Sequence, residues 1–405
     1  MDRPTSKVSN VGVTGPLAPY AAAFTARLGE CGYTRLTQVN ELRVMAHLSR
    51  WLQANQLRAG ELSGERLGLF LAAQRLGGYG VPGTLRGLAP LLGVLRDLQV
   101  APAAEPAPSV CGSDVLLGSF RTYLLDERGL APSTTAAYVQ RACRFLAGRA
   151  GGATLADLTA AEVTDAVIAE STTVSVGSVQ YFVAAVRSFL RFCFLTGRTP
   201  VDLAAAALSV SGRRQSSLPR GIDAASATAV LGSCDRRTAV GRRDYAVLVT
   251  LLRLGLRAGE VAGLVLEDID WRAAQIVVHG KNRRVDRLPL PADVGEAITG
   301  YLRRGRPATT GREVFLRALA PVTGLGRGAV SSIVRRACVR AGLPAVGAHR
   351  LRHTAACQMV AAGVPLPEIG QVLRHRSTSS TAIYARLDVE ALRVLAQPWP
   401  GSVPR

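Results

Sequence analysis

Apolar residues recur at helical spacing along most of the chain. From Glu41 to Leu57, from Glu65 to Leu76 and from Thr84 to Leu98 they keep to one face, which predicts three amphipathic helices ahead of residue 100. Pro132-Ser133-Thr134-Thr135 opens a further helix through Leu146, since Pro is tolerated in a first turn and hydroxyl side chains satisfy its free N–H groups. Leu158-Thr159 precedes another from Ala160, and Ser178 to Leu195 reads as a long amphipathic helix ended by Gly197. Strand character appears at Gln275-Ile276-Val277-Val278-His279. Gly280-Lys281-Asn282-Arg283-Arg284 supplies a turn and Val285 to Leu290 a return strand, so a hairpin is predicted with Lys281 at its tip. The expected fold class is mainly α with a small antiparallel β-sheet.

Two stretches interrupt this pattern. Val100 to Ser109 is a Pro/Ala run, stiff and extended, and Ser211 to Gly221 is polar and basic. They divide the chain into an N-terminal helical region (1–99), a linker (100–110), a helical middle unit (111–210), a second linker (211–221) and a C-terminal unit (222–405). The role of the first region stays open. No signal-peptide core and no run of eighteen or more apolar residues is seen, which predicts a protein of the cytoplasm without a membrane partner. The seven cysteines, at 31, 111, 143, 193, 234, 338 and 357, show no metal-ligand pairing and are expected to be reduced thiols.

Charge sharpens the picture. Forty-nine Lys and Arg stand against 29 Asp and Glu, a net charge of +20 with a sequence pI near 10.8. A polyanionic partner is the natural explanation, and double-stranded DNA is one such polyanion. Beyond residue 215 the balance is 28 cationic to 14 anionic side chains, so most of the excess sits in the C-terminal unit.

That unit also holds the chemistry. His349-Arg350-Leu351-Arg352-His353-Thr354, then Leu373-Arg374-His375-Arg376-Ser377 and Tyr384, set cations and imidazoles just before a phenol. Such a set suits attack on a phosphodiester, whose transition state gathers negative charge on oxygens that fixed donors stabilise. Arginine serves better than lysine, because its planar fork binds two phosphate oxygens and keeps its charge. His349 and Arg352 stand three apart and share a helix face. His353 points about a quarter-turn from Arg352 and reads as a support to the site or as structural, while Arg374 and Arg376 read as DNA-backbone contacts. Upstream, Leu251 to Val261 is an apolar helix that breaks at Gly255 and leaves Arg257 at the junction, with Glu260 its natural partner. Lys281 suits proton donation if neighbouring positive charge eases its deprotonation.

Arg257, Lys281, His349, Arg352, His375 and Tyr384, in that order, resemble the catalytic set of the tyrosine recombinase (phage integrase) family. The resemblance runs from near residue 110 to the end. Phe120 to Leu130, Ser133, Thr134, Tyr138 and Val186 to Phe192 are similar to that family's core-binding domain, and Leu395 to Pro400 to members encoded by transposons and other mobile elements. In the middle unit Arg141, Arg144, Arg187 and Arg191 recur at helical spacing, a DNA-facing row in this light.

The resemblance implies a site-specific recombinase that cleaves and rejoins DNA through a 3′-phosphotyrosyl intermediate, without metal, ATP or another cofactor. Tyr384 would be the nucleophile and Lys281 the acid on the leaving 5′ oxygen. Arg257 and Arg352 would hold the non-bridging oxygens, and His349 and His375 would bind the same phosphate, with His349 also placed to take the phenol proton. A homotetramer on DNA and accessory recombination proteins are the implied partners. The apolar stripe Val389, Leu392 and Leu395 would dock on a neighbouring subunit or on its own domain. A type IB topoisomerase, a non-catalytic DNA-binding accessory protein and an Arg/His phosphatase are the competing readings.

Overall fold

The computed structural model describes residues 11–76, 85–102, 113–148, 154–212, 221–280, 284–375 and 377–387. They fall into two compact units, 113–212 forming one and the rest the other.

In the larger unit the chain begins with α1 (Ala21–Glu30), α2 (Arg35–Ala54), α3 (Gly64–Leu76) and α4 (Leu85–Asp97). Helix α1 lies outside the three expected helices, and its buried face shows why: Phe24 and Leu28 alone anchor it, too few to display a period. Helix α2 starts six residues before Glu41, where the Thr34 hydroxyl accepts the N–H of Thr37 and caps it. These helices bury their own core of Phe24, Met45, Leu48, Leu52, Phe70 and Leu95, with Trp51 edge-on to Phe70 at 5.8 Å. Each such large side chain contributes about 1.5–3 kcal/mol on burial.

Among its described residues the smaller unit has helices and no strand: α5 (Ser113–Thr122), a π-helical turn (Tyr123–Glu127), α6 (Pro132–Ala147), α7 (Ala160–Thr173), α8 (Val176–Leu195) and a 3-10 turn (Ala204–Ala206). A reciprocal cap opens α7, the Thr159 hydroxyl taking the Glu162 N–H while the Glu162 carboxylate takes that of Thr159. Helix α8 is long and apolar enough by composition to cross a membrane, yet Phe182, Val186, Phe189 and Leu190 are buried against Phe120 and Phe145 in the unit's core. Three of the four arginines of the expected DNA-facing row have partners within the unit. Arg144 pairs with Glu170 at 2.7 Å, Arg187 donates to the Ala207 carbonyl and the Ser209 hydroxyl, and Arg141 lies over the Tyr181 ring at 4.4 Å. Arg191 is exposed.

The larger unit resumes with α9 (Ala224–Gly232), α10 (Ala239–Leu254), α11 (Ala258–Ala262), β1 (Ile269–Asp270), β2 (Gln275–His279), β3 (Val285–Pro289) and α12 (Ala292–Arg304). It continues with α13 (Arg327–Arg340), α14 (Ala348–Ala361), α15 (Leu366–Val372) and α16 (Thr378–Ala382). The three strands form an antiparallel sheet in sequence order, Ile276 facing Leu288 and His279 facing Val285. Helix α10 is the central post. Residues 246–252 are all buried, as a helix that neighbours cover on several sides requires, and α12 and α14 pack against it. Its two buried charges, Arg243 and Asp244, neutralise each other at 2.7 Å, and Arg243 also donates to the Leu316 carbonyl.

Gly255 ends α10 in the left-handed region (φ +58), and a Cβ there would meet the Leu373 side chain at 2.6 Å. Only glycine meets both demands. The break and the hairpin stand where the sequence put them.

Candidate active site

Four segments converge. Gly255 turns the chain so that Arg257 stands at the start of α11, its backbone N–H donating to Glu260 Oε2 at 2.8 Å and its Nη1 to Glu260 Oε1 at 2.6 Å. Glu260 is thus the partner expected for Arg257. Helix α14 contributes His349, Arg352 and His353. The turn after α15 contributes Arg374 and His375, and α16 leads into Tyr384.

Arg352 is 2% exposed and ties two of these segments together. Its Nη1 donates to the Gly255 carbonyl at 2.6 Å and its Nη2 to the Leu373 carbonyl. Burial, with Arg257 and Arg374 nearby, draws its pKa down to about 10, so it stays cationic at neutral pH. Arg257 also reaches the Arg374 carbonyl, 3.4 Å from its Nη2.

Arg374 departs from the sequence reading. Expected at the surface against a DNA backbone, it is 5% exposed, and its Nη2 holds Glu260 Oε2 at 2.7 Å. A second cation is drawn inward because one carboxylate accommodates two guanidiniums. Burial pushes Glu260 up, but the Arg257 N–H and the charges of Arg374 and Arg257 outweigh it and hold the carboxyl below its ordinary range. Arg374 also closes α15. With φ +56, its N–H donates to the Gln371 carbonyl and that of His375 to the Gly370 carbonyl, a helix-ending motif that usually takes glycine. The left-handed conformation costs an L-residue about 1–2 kcal/mol.

The imidazoles are clustered and neutral. His349 and His353 pack edge-to-face with ring centres 4.4 Å apart. Burial lowers the pKa of each, as it does for His375, with the neighbouring arginines adding to the shift; His353 and His375 fall to about 4. The Thr381 hydroxyl lies 2.7 Å from His375 Nδ1 and fixes that ring, which stacks parallel to the Tyr384 ring at 6.4 Å.

Tyr384 is 2% exposed and packs with Ala356, Ile369 and Leu373. Burial raises its pKa to about 12, against the pull of Arg352. Its hydroxyl is 2.6 Å from Nδ1 of His353. His353, read from sequence as a supporting or structural residue, is therefore the phenol's partner, and His349 packs against its ring. The signal was present in the sequence: His349 and His353 are four apart, which places them on one face, whereas the quarter-turn had been measured from Arg352.

Arg257, His349, Arg352, His375 and Tyr384 are thus brought together. Lys281, like Arg376 and the stripe Val389, Leu392 and Leu395, lies outside the described residues. Arg284, which begins β3's side of the hairpin, lines one cleft with Arg374 and His375, so the hairpin base reaches the site.

Residues 222–391 match the family model described as the phage integrase family. A Sinorhizobium fredii protein carrying the name integrase/recombinase y4rA is 39% identical over 393 residues, 96% of this chain and 95% of that one. The tyrosine recombinase XerC of Pelobacter propionicus is 31% identical over 284 residues, 68% of this chain and 91% of its own. Among solved structures, the XerH site-specific recombinase bound to its palindromic difH substrate shares the fold, with a TM-score of 0.56 at 17% identity over 82% of this chain and 94% of that one. With a relative of such identity along nearly its whole length, this chain belongs to the phage integrase family of tyrosine recombinases.

Proposed function

We propose that the chain is a site-specific DNA recombinase in which Tyr384 is the nucleophile. The observation that carries this reading is the 2.6 Å contact between the phenol and the neutral imidazole of His353, beside two guanidiniums that share one carboxylate and the buried guanidinium of Arg352. That cluster keeps an unmatched positive charge in a partly desolvated site. A phosphodiester anion is the ligand that offsets it.

In the reaction Tyr384 Oη bonds to phosphorus and the P–O5′ bond breaks, leaving a 3′-phosphotyrosyl ester and a 5′-hydroxyl. Arg257 and Arg352 bind the non-bridging oxygens. The phenol proton passes to His353, His349 lies against the far side of that ring, and His375, held by Thr381, hydrogen-bonds the phosphate. Lys281, which the sequence places between β2 and β3, protonates O5′. A 5′-hydroxyl from another strand reverses the step with no input of ATP, because the ester conserves the bond. Exchange between two duplexes calls for four such sites, hence a tetramer on DNA. The exposed cations of the smaller unit, Arg191 among them, hold backbone phosphate. The work belongs to the cytoplasm, at the nucleoid, where accessory recombination proteins are natural partners.

The test is covalent trapping. The full chain is incubated with a random-sequence duplex library carrying single nicks, so that cleavage next to a nick releases a short fragment and strands the adduct. Recovered duplexes define a substrate, and peptide mapping is expected to find the nucleotide on Tyr384. Tyr384→Phe should bind the recovered duplex and form no adduct. An adduct that persists in that variant overturns the assignment.

A further inference from the structure

Arg374 has no part in the reaction as described, yet it is the most expensively placed side chain near it. It occupies a left-handed position that glycine fills without strain, it is buried, and its Nε–H finds no partner. A buried guanidinium that adds positive charge beside Arg257 and Arg352 is unfavourable for folding unless it serves the site.

Its contacts say how. Glu260 Oε2 is taken by Arg374 Nη2 and by the backbone N–H of Arg257, which leaves only Oε1 for the Arg257 side chain. The Arg374 carbonyl meets Arg257 Nη2 at 3.4 Å. A carboxylate and a guanidinium left to themselves favour a two-pronged pairing. Here Oε2 is filled by Arg374 together with the Arg257 N–H, so the Arg257 side chain is held by one prong and is 44% exposed.

We infer that Arg374 is a positioning residue for strand cleavage, one that occupies half of Glu260 and so keeps the Arg257 guanidinium turned toward the scissile phosphate. The inference rests on the recombinase reading above. Without Arg374, Glu260 captures both prongs of Arg257 and draws it back from the phosphate.

The experiment uses the full chain and a duplex recovered as a covalent adduct of the wild type. Arg374→Gly suits the backbone, so its melting temperature should match or exceed that of the wild type. Its single-turnover rate of adduct formation should fall about 10- to 100-fold, the scale of a misplaced catalytic group, with duplex affinity within about twofold. Arg374→Lys, which still contacts Glu260, should recover part of the rate. In an Arg257→Ala background, Arg374→Gly should cost nothing further, since it acts through Arg257. A rate near wild type for Arg374→Gly overturns the inference, as does an equal loss in the Arg257→Ala background, or unfolding of both Arg374 variants. Failure of the wild type to give any adduct overturns the recombinase reading instead, so the two failures are distinct.

Discussion

Nδ1 of His353 and the hydroxyl of Tyr384 are 2.6 Å apart, joining α14 to the second residue past α16. The contact pairs a phenol whose pKa is raised to about 12 with an imidazole lowered to about 4. Proton transfer between them is strongly uphill in the DNA-free chain. A bound phosphodiester changes that balance, because its negative charge favours the imidazolium and offsets the arginines.

Replacing His353 by Gln keeps a hydrogen-bonding group beside the phenol but removes the base. Adduct formation should slow by about 10²-fold or more, the usual contribution of general acid–base catalysis, while duplex binding stays near wild type. Quench-flow cleavage assays on a trapped substrate check this. If His353→Gln keeps the wild-type rate while His349→Gln does not, the proton goes to His349.

Stability should fall in acid. His353 and His375 have folded pKa values of about 4 against the ordinary 6.5, so between those values the unfolded chain takes up protons that the folded chain refuses. The stability their burial permits is complete above pH 6.5 and is lost as the pH falls toward 4. Thermal melts across this window should show the decline, and the His353→Gln/His375→Gln double variant should flatten it. An equally steep decline in that variant would assign the loss to other groups.

Thr381 is 6% exposed and serves the site by fixing His375. Thr381→Val preserves shape and removes the hydroxyl. The cleavage rate should drop about tenfold, the lower end of what loss of an orienting partner costs, with little change in duplex affinity. A loss of affinity matching the loss of rate would mean that Thr381 shapes the DNA surface.

The leaving-group role of Lys281 is open to a chemical rescue. Lys281→Ala should cleave a normal strand slowly and a strand with a 5′-bridging sulfur at close to the wild-type rate, since a thiolate leaves without a proton. An equally slow reaction with sulfur would remove Lys281 from that role.

Much of this organisation is legible along the chain because it is local. The break at Gly255, the pairing of Arg257 with Glu260, the hairpin and the three-residue spacing of His349 and Arg352 all depend on neighbours within a few positions. What escapes depends on distance. Nothing near Arg374 announces that a carboxylate on α11 will draw it inward, because Glu260 lies 114 residues away. Helix α1 goes unread because two buried side chains do not make a pattern. His353 belongs to neither kind: its spacing from His349 was visible, and its importance appears only once Tyr384 folds back onto α14.

Gly255 carries a last consequence. Its carbonyl receives Arg352, and the space where a methyl group would sit is filled by Leu373, the residue just before Arg374. Alanine at 255 would have to hold a left-handed conformation that strains an L-residue, and the end of the Leu373 side chain would have to shift aside. The anchor of Arg352 is thus a carbonyl whose place in space depends on a residue free to turn left-handed.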